Sequence, residues 1–156
     1  FLGDEPNIGE GAYQGERGWY PQIALKRRFS APSINENNLV SLLSEFASKT
    51  SSFQLQTGQL TQPDRMPVKV IDIRNKGELM NFHKEFMAFI GNRIDSRYPD
   101  RDGENYFPHI TVEYDDELVV DVGQLKNQAF PINKICLIKD GDDTDSHVVA
   151  YFNLSR

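Results

Sequence analysis

One short pattern of residues occurs twice in this chain, 87 positions apart, and this repeat constrains the fold more than any other feature of the sequence. In each copy an aromatic residue and a proline precede a segment of the form x-Ile-x-aliphatic, at residues 20–25 and 107–112. Each copy is followed by a helical pattern, a strand pattern, a turn and a second strand pattern. These patterns lie at 37–49, 53–60 and 68–73, and again at 122–129, 132–139 and 147–154. Repetition of a whole supersecondary unit indicates an internal duplication, so the sequence predicts two similar lobes, each with one motif strand.

The second copy is predicted to form a β-strand over residues 107–114, since it is rich in β-forming residues and its proline falls near the start. Successive side chains of a strand point to opposite faces. One face is therefore apolar and consists of Ile110, Val112 and Tyr114. The other is polar and consists of His109, Thr111 and Glu113. An imidazole can transfer a proton and a nearby hydroxyl can donate a hydrogen bond, which suits the handling of a phosphate. A single His-x-Thr is also compatible with an ordinary strand that has one solvated face, and it is the second copy that favours a functional site.

The two motifs and the elements that follow them resemble the 2H phosphoesterase superfamily, which includes the bacterial 2′-5′ RNA ligase-like proteins and 2′,3′-cyclic phosphodiesterases. That family carries two His-x-Thr/Ser-x motifs on two pseudo-symmetric lobes that face one cleft. The second motif is matched fully by His109-Ile110-Thr111-Val112. The first motif is replaced by Gln22-Ile23-Ala24-Leu25, followed by Lys26-Arg27-Arg28-Phe29, which is similar to what often follows that motif. The resemblance covers roughly residues 19–154.

The resemblance implies an α+β fold in which two pseudo-symmetric lobes of antiparallel sheet, with outer helices, surround a central cleft. Residues 19–156 are expected to form this single bilobal domain, after a flexible, glycine-rich segment at 1–18. In the family the two histidines share the roles of general base and general acid, the hydroxyls hold phosphate oxygens, and no metal or cofactor is needed. His109 and Thr111 would supply one catalytic half. Gln22 can hydrogen-bond a phosphate but cannot exchange a proton, and Ala24 supplies nothing polar, so catalysis is expected to be impaired.

Basic residues near both motifs are candidates for a cationic rim around a phosphodiester, because Arg and Lys bind phosphate oxygens strongly. If the first motif is a strand, Lys26 and Arg28 share a face with Gln22, which makes all three candidate substrate-binding residues. The alternative for the two basic residues is a solvated strand end. The charged loop at 96–105 leads into the second motif, and there Arg97 and Arg101 are candidates; otherwise they form surface ion pairs with adjacent aspartates.

Composition limits the classes of partner. The net charge of −6 and a pI near 5.0 argue against a non-specific nucleic-acid binder, although a small basic cleft on an acidic body is compatible with them. The single cysteine, Cys136, excludes an intramolecular disulfide and fits a reducing compartment. No apolar run approaches the length of a membrane span, and no set of residues has the spacing of a zinc site. The expected protein is cytoplasmic, metal-free and without a membrane partner, and its ligand is a nucleotide or RNA terminus with a 2′,3′-cyclic phosphate or 2′-5′ linkage.

Helix signals complete the prediction. The spacing of Ser33 and Glu36 is typical of a capping box at the start of the first helix. A second helix is predicted over residues 77–94, with His83 at the edge of its apolar stripe, as a packed or partly exposed helix residue.

Three hypotheses of function follow. The first is a 2H-type protein with reduced or lost catalysis that binds a nucleotide or an RNA end. The second is an active esterase in which His83 or His147 takes the place of Gln22. The third is a structural or protein-interaction domain that has kept only the fold.

Overall fold

The computed structural model describes residues 23–64, 66–114, 117–118, 122–139 and 147–155. The predicted flexible segment 1–18, and Gln22 of the first motif, lie outside these residues. The described residues form an α+β structure, as predicted, with two α-helices and antiparallel sheets. The elements follow one another as β1 (Phe29–Ser30), α1 (Glu36–Lys49), β2 (Phe53–Thr61), β3 (Val70–Ile73), α2 (Lys76–Ile90), β4 (Asp95–Ser96), β5 (His109–Thr111), β6 (Glu113–Tyr114), β7 (Glu117–Leu118), β8 (Ala129–Ile132), β9 (Lys134–Lys139) and β10 (His147–Asn153).

The first two of the three predicted helices are present, but their ends differ from the prediction. Helix α1 is capped by Asn35, whose side chain accepts a hydrogen bond from the Asn38 N–H at 2.9 Å. The predicted capping box with Ser33 is therefore wrong, since Asn is as good an N-cap as Ser and stands directly before the helix. Helix α2 ends at Ile90 rather than at residue 94, because Gly91 adopts a positive φ of 56° and a 3₁₀ turn follows.

The central sheet has four antiparallel strands in the order β5-β3-β2-β8. Its inner face packs against both helices, and the strand residues Leu55, Ile71, Ile73 and Ile110 have no exposed surface. The ring of Phe46 in α1 stacks on that of Phe82 in α2, which links the helices in the same core. Ile110 and Val112 are buried, as the alternation in the second motif predicts. That strand is shorter than predicted, because pairing over 107–114 is limited to β5 and β6.

The elements predicted for the second half of the chain form only in part. The antiparallel pairs β2–β3 and β9–β10 form close to their predicted sequence positions, but β2–β3 belongs to the central sheet and β9–β10 is a separate two-stranded sheet. The helix predicted at 122–129 is wrong: this segment holds one 3₁₀ turn, Val122–Gln124, and the start of β8. Asn127 has a left-handed φ of 54°, and its N–H donates to the Gly58 carbonyl at 3.0 Å, so a contact with β2 ends the helical pattern here. The first motif also departs from the prediction, since residues 23–28 form no strand.

Glu113, placed on the polar face of the second motif, has a structural role. It is 5% exposed, and its carboxylate accepts from both the side chain and the backbone N–H of Lys69, at 2.5 and 3.0 Å. The hydrogen bond from the Lys69 ammonium is the main reason that the pKa of Glu113 is lowered. These bonds continue the contact between β3 and the second motif beyond β5.

Replacing Glu113→Gln should therefore change the acid stability of the protein. A carboxyl group whose pKa is lower in the folded state adds stability above its ordinary pKa of 4.5, and that contribution is lost as the pH falls through the folded pKa. We expect Glu113→Gln to have a lower free energy of unfolding than the wild type at pH 7, and a smaller difference from the wild type at pH 3. Urea unfolding at each pH measures both differences. Glu85→Gln, at an exposed position of α2, is the control. An equal difference in free energy of unfolding between the variant and the wild type at both pH values would contradict the ion pair of Glu113 with Lys69.

In the part of the chain that the structure describes, neither helix is long and apolar enough to cross a membrane.

Candidate functional site

His109 begins β5 and lies half-buried at the edge of the central sheet. Its Nδ1 lies 2.7 Å from the carbonyl oxygen of Phe107, which can only accept, so Nδ1 carries the proton in this bond. In the neutral ring Nε2 then holds the lone pair, and it has no hydrogen-bond partner among the described residues. The ring also stacks on Phe107, with centroids 5.4 Å apart. His109 is thus held with a fixed tautomer and one nitrogen left for a ligand.

The surroundings of His109 favour its neutral form. Burial is the largest cause and lowers the pKa of the imidazole, the hydrogen bond to Phe107 raises it, and the positive charges of Arg27 and Arg101 lower it further. The pKa is lowered overall from 6.5, so the ring is mainly neutral at pH 7. Such a histidine is suited to accept a proton rather than to donate one.

Thr111 lies on the same face of β5, one pleat from His109, and is half-buried. On the adjacent strand β3, Asp72 pairs with His109 and Val70 pairs with Thr111. The Asp72 carboxylate turns toward β2, where it accepts a hydrogen bond from the N–H of Gln59. Asp72 is therefore engaged in the sheet, and the polar groups of this face that the structure leaves for a ligand are those of His109 and Thr111.

Lys26, a predicted member of the cationic rim, is instead neutralised within the protein. Its Nζ lies 2.9 Å from Oδ1 of Asp102 and 2.7 Å from Oγ of Ser96, and its side chain is 3% exposed. Arg28 is exposed, and its carbonyl accepts from the Arg97 N–H at 3.0 Å. Lys26 thus joins two chain segments. Of the other predicted site residues, Gln22 lies outside the described residues, and Ala24 is exposed.

Arg27 is a site residue that the sequence did not indicate. Its guanidinium lies 5.4 Å from the centroid of the Tyr98 ring, and that of Arg101 lies 5.6 Å from the same centroid. We refer to Arg27 and Arg101 as the arginine pair. Period-2 alternation had placed Arg27 on the face opposite Gln22, and that rule does not apply because residues 23–28 are not a strand. Arg101 had been a candidate, and its charge does reach His109.

Local structure explains how Tyr98 meets both arginines. The Arg101 N–H donates to the Tyr98 carbonyl at 3.0 Å and closes a 3₁₀ turn, in which side chains at i and i+3 eclipse. Arg27 comes from a different segment, which lies next to Tyr98 because β1 pairs with β4 just before it. The segment 25–28 and the loop 96–103 therefore lie side by side.

His83 ties the same two segments together. It has no exposed surface, and its Nδ1–H donates to the Leu25 carbonyl at 2.8 Å while its Nε2 accepts from the Gly103 N–H at 2.9 Å. The ring stacks on Tyr106 with centroids 4.2 Å apart. Both nitrogens are engaged, so His83 is a packed helix residue and is not the second imidazole of an active esterase. His147 is exposed at the start of β10, and its charge acts on Glu36 at the start of α1.

No protein-family model matches the chain, and no curated protein matches it significantly. Among the described residues, no group of three or more His, Cys, Asp and Glu side chains could hold a metal ion.

Proposed function

We propose that this protein binds a nucleotide or an RNA end through a phosphodiester at His109 and Thr111, as a 2H phosphoesterase-like protein with impaired catalysis. The observation that carries the proposal is a neutral imidazole and a hydroxyl on one strand face, with two guanidiniums close enough for their charge to lower the pKa of His109. Within the described residues, no carboxylate forms an ion pair with either arginine. A local positive field of this kind favours an anionic ligand on a protein of net charge −6.

The position of the first-motif segment supports the same proposal. Residues 25–28 lie against the loop that leads into the second motif, through the Arg97–Arg28 and His83 hydrogen bonds. The end of the first copy and the residues that follow it are thus close to the loop before the second copy, which is compatible with a two-lobed 2H fold. The corresponding hairpins β2–β3 and β9–β10 are further support for such a fold.

The chemistry available to His109 explains why catalysis should be impaired. To open a 2′,3′-cyclic phosphate, a water oxygen bonds to phosphorus while one ribose oxygen leaves. His109 can take the proton from the water through Nε2, but the leaving oxygen must also receive a proton. Gln22 cannot give it, and His83 is fully engaged in the fold. His109 can therefore assist the deprotonation of water, but none of these residues protonates the leaving oxygen. We expect the protein to bind the cyclic nucleotide and to hydrolyse it slowly.

A non-catalytic interaction domain is the second candidate. Two observations favour it: residues 23–28 do not form the motif strand, and Lys26 is used to hold the fold. It predicts no nucleotide binding at His109.

The test is an NMR titration of the three histidines with and without a 2′,3′-cyclic nucleotide. In the free protein the pKa of His109 should lie below 6.5, because burial and the arginine pair disfavour the imidazolium. A bound phosphate anion stabilises the imidazolium and should raise this pKa by about one unit or more. His109→Ala identifies the resonance, and His147 in the same spectrum is the internal control. A nucleotide that leaves the pKa of His109 unchanged, or shifts it no more than that of His147, would favour the non-catalytic interaction domain.

A further inference from the structure

The guanidinium groups of Arg27 and Arg101 both contact the aromatic ring of Tyr98, which concentrates positive charge there. Both members of the arginine pair lie within 6 Å of the Tyr98 centroid, so two positive charges share one aromatic ring. Asp102, next to Arg101 in the chain, is already paired with Lys26 at 2.9 Å. In the described part of the protein the pair therefore has cation–π contacts but no neutralising carboxylate.

The arginine pair is separate from the groups that would contact the first phosphodiester. Its charges act on His109 from a distance, and the hydrogen bond that His109 makes goes to the Phe107 carbonyl. Arg27 and Arg101 are anchored instead on Tyr98, on segments that precede β5. Neither guanidinium is hydrogen-bonded to His109 within the described residues, so the groups on Tyr98 and the imidazole are distinct contacts for a ligand.

The pair is also assembled before any ligand binds. Five contacts fix segment 25–28 against loop 96–103: the buried Lys26–Asp102 ion pair, the Lys26–Ser96 hydrogen bond, the Arg97–Arg28 backbone hydrogen bond, and the two hydrogen bonds of His83. Ordering costs at binding are lower when the binding groups are already in place. Arginine is the side chain best suited to bind phosphate with two parallel hydrogen bonds.

We propose that Arg27, Tyr98 and Arg101 form a second anion subsite, which takes a second phosphate of the ligand whose phosphodiester contacts His109 and Thr111. The inference rests on the proposed function and specifies its ligand: a nucleotide or an oligonucleotide end with two phosphate groups, rather than a nucleoside cyclic phosphate alone.

The experiment measures the affinity of adenosine 2′,3′-cyclic phosphate with and without a 5′-phosphate by calorimetry. In the wild type the 5′-phosphate should strengthen binding about tenfold or more, since hydrogen bonds to charged groups are the strong ones. Arg27→Gln and Arg101→Gln should each remove most of this gain. The gain is read as the ratio of the two affinities within each variant, because the loss of a nearby positive charge also weakens binding of the cyclic phosphate itself. Arg97→Gln is the matched control, because it removes the same charge from an exposed position of the same loop.

Equal affinity for the two ligands in the wild type would overturn the second subsite and leave the proposed function standing. An equal loss in Arg97→Gln would also overturn it, because surface charge would then explain the gain. If neither nucleotide binds, the proposed function fails, and a separate measurement decides on the subsite. Inorganic pyrophosphate should shift the Tyr98 ring resonances in the wild type and not in Arg27→Gln, and no shift in the wild type would overturn the subsite.

Discussion

The double substitution Gln22→His with Ala24→Thr is expected to raise the rate of 2′,3′-cyclic nucleotide hydrolysis by about 10²–10⁴-fold. The reaction needs an acid and a base, and the sequence has one imidazole at the two positions of the motif pair. Ala24 is exposed, so a threonine can be accommodated there without disturbing the core. The measurement is the initial rate of hydrolysis by the wild type and the double variant at pH 7.

The control is the double variant that also carries His109→Ala, which should lose the gained activity. Strong hydrolysis by the wild type would show that a residue other than Gln22 completes the site. A double variant that binds the nucleotide and hydrolyses it no faster would mean that residues 22 and 109 do not reach one phosphate, and that the protein binds without turnover.

Gly58→Ala is expected to lower the free energy of unfolding by about 1.5–3 kcal/mol. A Cβ on Gly58 would lie 2.8 Å from Cγ and 2.9 Å from Oδ2 of Asp72, which is closer than real Cβ contacts allow. The carboxylate would have to turn away and give up the hydrogen bond from the Gln59 N–H. Because Asp72 pairs with His109 across β3 and β5, this change should also disturb the site.

Urea unfolding of four variants tests this packing: Gly58→Ala, Asp72→Ala, the two together, and Gly77→Ala. Gly77→Ala is the matched control: a Cβ there meets nothing within 4 Å, and alanine in helix α2 should stabilise by about 0.5–1 kcal/mol. Adding Asp72→Ala to Gly58→Ala removes the clash, so the double variant should lose less stability than the sum of the single changes. If Gly58→Ala is as well tolerated as Gly77→Ala, the close approach of β2 and β3 is wrong.

Local patterns predicted most of the fold. The apolar stripes predicted both helices, and alternation predicted the burial of Ile110 and Val112. The helix expected at 122–129 does not form, because Asn127 leaves the helical region and contacts β2, an interaction between residues 69 positions apart in the chain. Propensity carries no information about such a contact.

The local structure around the candidate residues was predicted in part, for a similar reason. His109 and Thr111 follow from a strand that does form. Alternation placed Lys26 on the ligand-facing side and Arg27 opposite, whereas Lys26 is buried in an ion pair and Arg27 lies by Tyr98. The reason is that segment 25–28 is held by hydrogen bonds to His83 and Arg97 and not by pairing as a β-strand. Those partners lie on α2 and on loop 96–103, and the 3₁₀ turn that places Arg101 over Tyr98 is equally invisible to a periodicity of two.

The two hydrogen bonds of His83 make segment 25–28 and loop 96–103 one unit of local unfolding. The ring cannot release the Leu25 carbonyl by rotating unless it also releases the Gly103 amide, because both bonds depend on the same ring orientation. Rotation of the His83 ring would therefore expose the Gly103 amide to exchange and free the Leu25 carbonyl in the same step, although the two residues are 78 positions apart in the chain. A ligand that fixes this ring orientation should slow hydrogen exchange at Gly103.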